Sequence, residues 1–175
     1  VTDWVEWTDA NPYSLEQAKS DPNSYGKAKC IYFELNDKKT AWIAEIIEEA
    51  INKVSEEYIK LVDIGENNPR IPSAGCAIGK YYVDMKPKGM HKDCNYDEKE
   101  NSFVIYLNDD YTGGEIEFPH LNIFFKPEAG SILMFPSMPE KYTHQMAPLK
   151  SGFKYMIPYF WRNSWNRKYP KLKMD

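Results

Sequence analysis

The segment His91-Lys92-Asp93 sets a histidine and a carboxylate two residues apart. Side chains alternate between the faces of an extended chain, so His91 and Asp93 point to the same side wherever this segment is a strand. With a third ligand from elsewhere in the chain, such a pair completes the two-histidine, one-carboxylate set that suits iron(II) and leaves three adjacent coordination positions open. The stock of nitrogen and sulfur ligands is small: 3 histidines, and 3 cysteines at Cys30, Cys76 and Cys94. A multi-cysteine zinc fold is therefore excluded, and the odd cysteine count speaks against a disulfide framework. Lys86, Lys88, Lys92, Asp97, Glu98 and Glu100 surround the pair and fit an exposed loop equally well.

Other chemistries lack their parts. There is no nucleophile elbow for a Ser-His-Asp or Cys-His hydrolase. Gly113-Gly114 does not open a helix, so no phosphate-cradling loop is present. Cys94 stands beside Asp93 and is open to oxidation if exposed, but nothing in the sequence shows a lowered thiol pKa. His120 follows Phe118-Pro119 in a strand connection and reads as solvent-facing, with a substrate contact as the alternative.

Something must position these residues, and the chain's 175 residues fit one domain with one sizeable core. Hydrophobic residues at 42% and aromatics at 15% argue for a packed globule. Ser14-Leu15-Glu16-Gln17 has capping-box spacing and predicts a short helix before Pro22, and Cys30 to Leu35 reads as a strand. From Ala41 to Ile64, Ile43, Ile46, Ile47, Ala50, Ile51, Val54, Tyr58, Leu61 and Val62 recur at three- and four-residue steps, with glutamates between them. This predicts an amphipathic helix packed on a sheet, ending at Gly65. After Pro69 the pattern changes to short strands: Cys76 to Met85, Phe103 to Leu107, Glu115 to Phe118, Asn122 to Lys126, Ser131 to Phe135, about His144 to Leu149, and Phe153 to Trp161. Turn residues separate them, which points to a jelly roll or sandwich. Pro158, which cannot donate to a ladder, predicts an edge position or a bulge in the last strand.

The formal net charge is -4, with 14 Asp/Glu against 7 Lys/Arg in residues 1–66 and 12 against 15 in residues 67–175. That excess is too small for a duplex-DNA surface, so nucleic acid is not an expected partner. Arg162, Arg167, Lys168, Lys171 and Lys173 make a basic end, read as a solvated tail, with an acidic partner or single-stranded nucleic acid as the alternative. Mean hydropathy is -0.65. No apolar run approaches the length needed to cross a bilayer, and no signal peptide is legible. The cysteine usage suits a reducing, cytoplasm-like compartment.

The region after Gly79 carries an ordered series of motifs: His91-Lys92-Asp93, Tyr106-Leu107-Asn108-Asp109, Gly113-Gly114-Glu115, Phe118-Pro119, Pro127 to Phe135, and His144, with Lys154 ten residues on across a Gly turn. In this order and spacing it resembles the prolyl 4-hydroxylase-like branch of the iron(II)- and 2-oxoglutarate-dependent dioxygenases, over roughly half the chain from Gly79 to Trp161. The resemblance implies a mainly β fold with supporting α-helices around a double-stranded β-helix (jelly-roll) core. Residues 1–175 would form a single dioxygenase domain, with 1–70 as support, 74–162 as catalytic core and 163–175 as tail.

The resemblance also implies that His91, Asp93 and His144 bind iron and that Lys154 pairs with the distal carboxylate of 2-oxoglutarate. Such a carboxylate is costly to desolvate without a cationic partner. Tyr106 and Tyr82 correspond to tyrosines that contact the cosubstrate in relatives; both also fit core aromatics, and Tyr81 competes with Tyr82 if the register slips by one. Phe160 and Trp161 would wall the pocket, and Lys88 stands where many relatives carry a tyrosine. The implied reaction consumes O2 and 2-oxoglutarate, releases succinate and CO2, and hydroxylates a prolyl residue of a peptide or protein, with ascorbate as reductant. Asp93 argues for hydroxylation over halogenation, since related halogenases vacate that position. Two alternatives remain at this level: hydroxylation of a free amino acid or other small metabolite, and a metal-binding jelly-roll module without catalysis. The sequence leaves the oligomeric state open.

Overall fold

The computed structural model describes residues 5–6, 29–33, 41–61, 70–72, 76–83, 85, 89–93, 101–137 and 140–163. One helix, α1 (Ala41–Leu61), precedes most of the strands. The strands are β1 (Val5–Glu6), β2 (Lys29–Phe33), β3 (Arg70–Pro72), β4 (Cys76–Tyr82), β5 (Asn101–Tyr106), β6 (Thr112–Gly113), β7 (Ile116–Phe118), β8 (Ile123–Phe125), β9 (Ile132–Pro136), β10 (Gln145–Met146), β11 (Leu149–Ser151) and β12 (Phe153–Asn163). Seven of them form one antiparallel sheet in the order β1-β2-β4-β12-β5-β9, with β3 also paired to β12. A three-stranded sheet, β10-β7-β8, and the pair β11-β6 complete a jelly roll.

The helix stripe is centred differently from its periodic reading. Ala44, Ile47, Ile51 and Ser55, spaced by three and four residues, are buried, whereas Ile46 is 58% exposed. An apolar residue beside the buried stripe need not be covered, and a small polar residue inside it is tolerated once bonded. Ser55 donates its hydroxyl to the carbonyl of Ile51 one turn back. Ala44, Ile47 and Ile51 pack on Phe103, Ile105, Ile157 and Tyr159 from β5 and β12. The span read as one strand near His144 to Leu149 is split into β10 and β11, which pair with different partners. The expected helix near Ser14 lies outside the described residues.

Pro158 pairs with Val104 of β5, while the ladder from β12 to β4 stops at Met156 and pairing with β3 begins only at Trp161. The strand is central in its sheet rather than at an edge, and Pro158 falls between the described ladders to β4 and to β3.

The alternation of β5 and β12 sets the whole arrangement. Phe103, Ile105, Ile157 and Tyr159 face α1, while Val104, Tyr106, Lys154, Met156, Pro158 and Phe160 line a cavity on the opposite face. One period-two pattern thus builds a closed core on one side and a pocket on the other. Two glycines stand where β6 pairs with β11. Gly113 and Gly114 have φ of +74° and +68°, and a Cβ on Gly113 would stand 2.2 Å from the carbonyl oxygen of Pro148. Only glycine allows this close approach of backbone to backbone.

Candidate active site

The cavity encloses about 780 Å³ of space continuous with solvent. At one end His91 and His144, 53 positions apart in sequence, are locked side by side by a reciprocal backbone pair: each N–H donates to the other's carbonyl at 3.0 Å. Directly opposed residues of an antiparallel pair project from the same face, and here the two imidazoles lie with ring centroids 4.3 Å apart. Asp93, two residues beyond His91, completes the group: its Oδ1 is 3.3 Å from Nε2 of His91 and its Oδ2 is 3.7 Å from Nε2 of His144. One ligand atom from each of the three residues falls within 4.8 Å of the others.

The histidine tautomers follow from their partners. Nδ1 of His91 lies 2.7 Å from the carbonyl oxygen of Gly89, and Nδ1 of His144 lies 3.0 Å from that of Tyr142. A carbonyl only accepts, so in the neutral ring each Nδ1 carries the proton and each Nε2 presents its lone pair to the centre of the group. Phe118 and Phe135 pack on the His144 ring with centroids at 5.3 and 4.9 Å, which fixes its plane.

Lys154 lines the same cavity and is only 1% exposed. Its ammonium donates to the carbonyl of Gly114 at 2.6 Å and lies 5.0 Å from the Tyr106 ring centroid and 5.6 Å from that of Tyr111. Burial pulls its pKa down to about 7, with the nearby Glu115 carboxylate opposing the shift. The Tyr111 hydroxyl is buried and has no hydrogen-bond partner among the described residues. Burial, followed by the neighbouring Asp109 and Glu115, pushes its pKa up to about 12, so it stays a donor at neutral pH. Burial also raises the pKa of Tyr106 far above the usual phenol range. A buried lysine and an orphaned buried hydroxyl together call for an acceptor-rich anion.

The chain from 80 to 162 matches the sequence model of the 2OG-Fe(II) oxygenase superfamily. Over this segment the chain is similar to that superfamily. All of His91, Asp93, His144 and Lys154 fall within it. Comparison with curated protein sequences gave no significant match. Among solved structures, the viral collagen prolyl hydroxylase of Paramecium Bursaria Chlorella virus-1, in its 2OG complex, is similar at 18% identity with a TM-score of 0.59, over 79% of this chain and 80% of that one. A Pseudomonas putida prolyl-4-hydroxylase is similar at 15% identity with a TM-score of 0.58, over 91% of both chains. A Trichoplax adhaerens prolyl hydroxylase in complex with a hypoxia inducible factor peptide fragment is similar at 18% identity with a TM-score of 0.60, over 82% of this chain and 66% of that one. At these identities the likeness is one of fold.

The superfamily uses Fe(II), 2-oxoglutarate and O2, and the residues present fit the first two. Two Nε2 lone pairs and a carboxylate form a nitrogen- and oxygen-donor set suited to Fe(II), while Lys154 and the unpartnered Tyr111 hydroxyl suit a carboxylate.

Of the residues singled out from sequence, the fold brings His91, Asp93, His144, Tyr106, Lys154 and Phe160 to one cavity. Tyr82 is not among its lining residues, and Tyr81 is. The register decides this. Tyr81 pairs with Lys154, whereas Tyr82 pairs with Phe153 and so belongs to the other set of alternating side chains. Trp161 is placed by its backbone alone, opposite Asn101 and Pro72. His120 is exposed on a 3-10 turn, Pro119–Leu121, and does not line the cavity. Lys88 and Cys94 lie outside the described residues, as does the tail beyond Asn163. Sequence reading missed Tyr111, two residues before Gly113, which carries no local sign of its burial; it is not among the cavity's lining residues and meets the site through Lys154. Among the described residues, no helix is long and apolar enough to cross a membrane.

Proposed function

We propose that this protein is a prolyl 4-hydroxylase acting on a peptide or protein, with His91, Asp93 and His144 holding Fe(II) and with Lys154, Tyr111 and Tyr106 receiving the distal carboxylate of 2-oxoglutarate. One observation carries the reading: a three-residue metal set and a buried lysine share one cavity. The bound iron supplies the oxidative decarboxylation of 2-oxoglutarate to succinate and CO2 and the activation of O2 for attack on a C–H bond. The chain's own share is positioning. The carbonyls of Gly89 and Tyr142 keep both imidazoles in the ligating tautomer, and the reciprocal bridge between His91 and His144 fixes their separation. Lys154 orients the cosubstrate by its charge. Its ammonium and the Tyr111 hydroxyl each donate to a group that only accepts, which is worth more inside a water-poor wall than in solvent.

The remaining lining supports this substrate class. Val104, Ile116, Met146, Met156, Pro158 and Phe160 offer an apolar surface suited to a pyrrolidine ring. The three solved structures of similar fold named above are prolyl hydroxylases, and that from Trichoplax adhaerens is complexed with a peptide fragment. Ascorbate is the proposed reductant, and a reducing compartment the proposed setting. Residues 1–175 are proposed to act as one domain. Mass spectrometry of proline-containing peptides incubated with protein, Fe(II), 2-oxoglutarate and ascorbate tests the substrate class. A gain of one oxygen on proline is expected. Oxygen gained only by free amino acids would overturn the peptide assignment.

A further inference from the structure

One buried serine reaches the carboxylate of Asp93, and a second reaches the first. Ser102 lies on β5 and Ser137 follows β9; they are 0% and 1% exposed. The antiparallel register that pairs Asn101 with Pro136 and Ser102 with Phe135 brings their hydroxyls together from two strands. Ser102 Oγ donates to Asp93 Oδ2 at 2.7 Å, and Ser137 Oγ stands 2.7 Å from Ser102 Oγ. A hydroxyl has one proton, and the Ser102 proton is committed to a carboxylate that only accepts. Ser137 must therefore be the donor in the second bond.

We infer that the Ser137–Ser102–Asp93 relay holds Asp93 as a one-oxygen metal ligand, with Oδ2 engaged by protein and Oδ1, the oxygen beside His91, turned to the metal. The inference rests on the iron reading of the triad. Three protein ligands of a six-coordinate ion leave three positions, two for the chelating cosubstrate and one for O2. A carboxylate gripping through both oxygens would occupy a fourth and leave too few. The relay prevents this by a charge-assisted bond to one oxygen, strengthened because its donor is itself a bonded acceptor. Ser102 and Ser137 are positioning residues: neither lines the cavity. Two fully buried hydroxyls otherwise have no reason to displace alanine or valine.

Cobalt(II) titration of the metal-free protein tests this, since the intensity of its visible absorption separates five- from six-coordinate ions. Ser102→Ala is expected to weaken cobalt(II) binding by about 10- to 100-fold, the usual consequence of losing a group that orients a ligand. It should also change the spectrum and weaken 2-oxoglutarate binding to the cobalt-loaded protein. Ser102→Thr, which keeps the hydroxyl, should restore the spectrum, and Ser137→Ala should fall between. Should Ser102→Ala not fold, Ser137→Ala and Ser102→Cys carry the same expectation. A folded Ser102→Ala with wild-type affinity and spectrum would overturn the relay and leave the iron site standing. Wild-type protein that binds no cobalt(II) would overturn both.

Discussion

The two faces of β5 and β12 are built from the same strands, residue by alternate residue, and differ in what completes them. Phe103, Ile105, Ile157 and Tyr159 meet side chains of α1, so every apolar group on that face has its partner within the protein. On the other face Ser102, Tyr106, Lys154 and Phe160 stand with the His–Asp–His group, and among the described residues the buried ammonium of Lys154 hydrogen-bonds a carbonyl and no carboxylate. The first face supplies stability. The second surrenders some of it, holding groups in a desolvated state whose best partner is a bound anion or cation.

Exchanging the properties of the two faces should therefore give opposite phenotypes. Phe103→Ala, at a site with no exposure, is expected to cost about 3–5 kcal/mol of stability through the lost transfer energy and the cavity left behind. Its 2-oxoglutarate KM, measured below the lowered melting temperature, should stay unchanged. Lys154→Met should do the reverse. Loss of the cationic partner of a buried carboxylate is worth about 3–5 kcal/mol, so the apparent KM for 2-oxoglutarate should rise by about 10²- to 10⁴-fold. Thermal stability of the cosubstrate-free protein should rise at the same time. If Lys154→Met raised KM no more than Phe103→Ala, the two faces would not be distinct in function.

The Lys154 substitution also has a pH signature. With its folded pKa near 7 and the ordinary value above 10, the unfolded chain binds the extra proton between these limits. The cost of the buried ammonium is thus fully present below pH 7 and is relieved as pH rises toward 10, so the stability gained by Lys154→Met should be largest at acid pH and shrink above neutrality. Cosubstrate binding needs the charged amine, so wild-type affinity for 2-oxoglutarate should fall by up to about tenfold per pH unit above 7. Unfolding curves and KM values across this range check both slopes. A smaller effect is expected at Tyr111→Phe, which removes a single hydroxyl donor: about a 5- to 10-fold rise in KM, consistent with about 1–1.5 kcal/mol for one hydrogen bond. An unchanged KM would remove Tyr111 from the cosubstrate end.

The parts of this molecule legible in sequence are those carried by local period or by ordered motifs. The three- and four-residue steps of α1 and the two-residue spacing of His91 and Asp93 needed no partner to be read. His144 and Lys154 were reached through their family motif alone, because nothing local says that residue 144 will form a bridge with residue 91. Where long-range register decides, sequence fell short. Tyr81 and Tyr82 are adjacent and chemically alike, and only the pairing of Tyr81 with Lys154 puts the first in the cavity wall. Ser102, Ser137 and Tyr111 look like ordinary strand and turn residues until burial gives their hydroxyls consequence.

The central claim is that one face of this sheet assembles an Fe(II) centre and a 2-oxoglutarate pocket into a working oxygenase. Its most direct test is succinate formation from 2-oxoglutarate by the purified chain with added Fe(II), beside a His144→Ala variant whose fold is verified by circular dichroism. Iron-dependent succinate release by the wild type and none above background in the variant is the expected result. Equal release by both proteins, or none by the wild type across a panel of proline-containing peptides, would contradict the account.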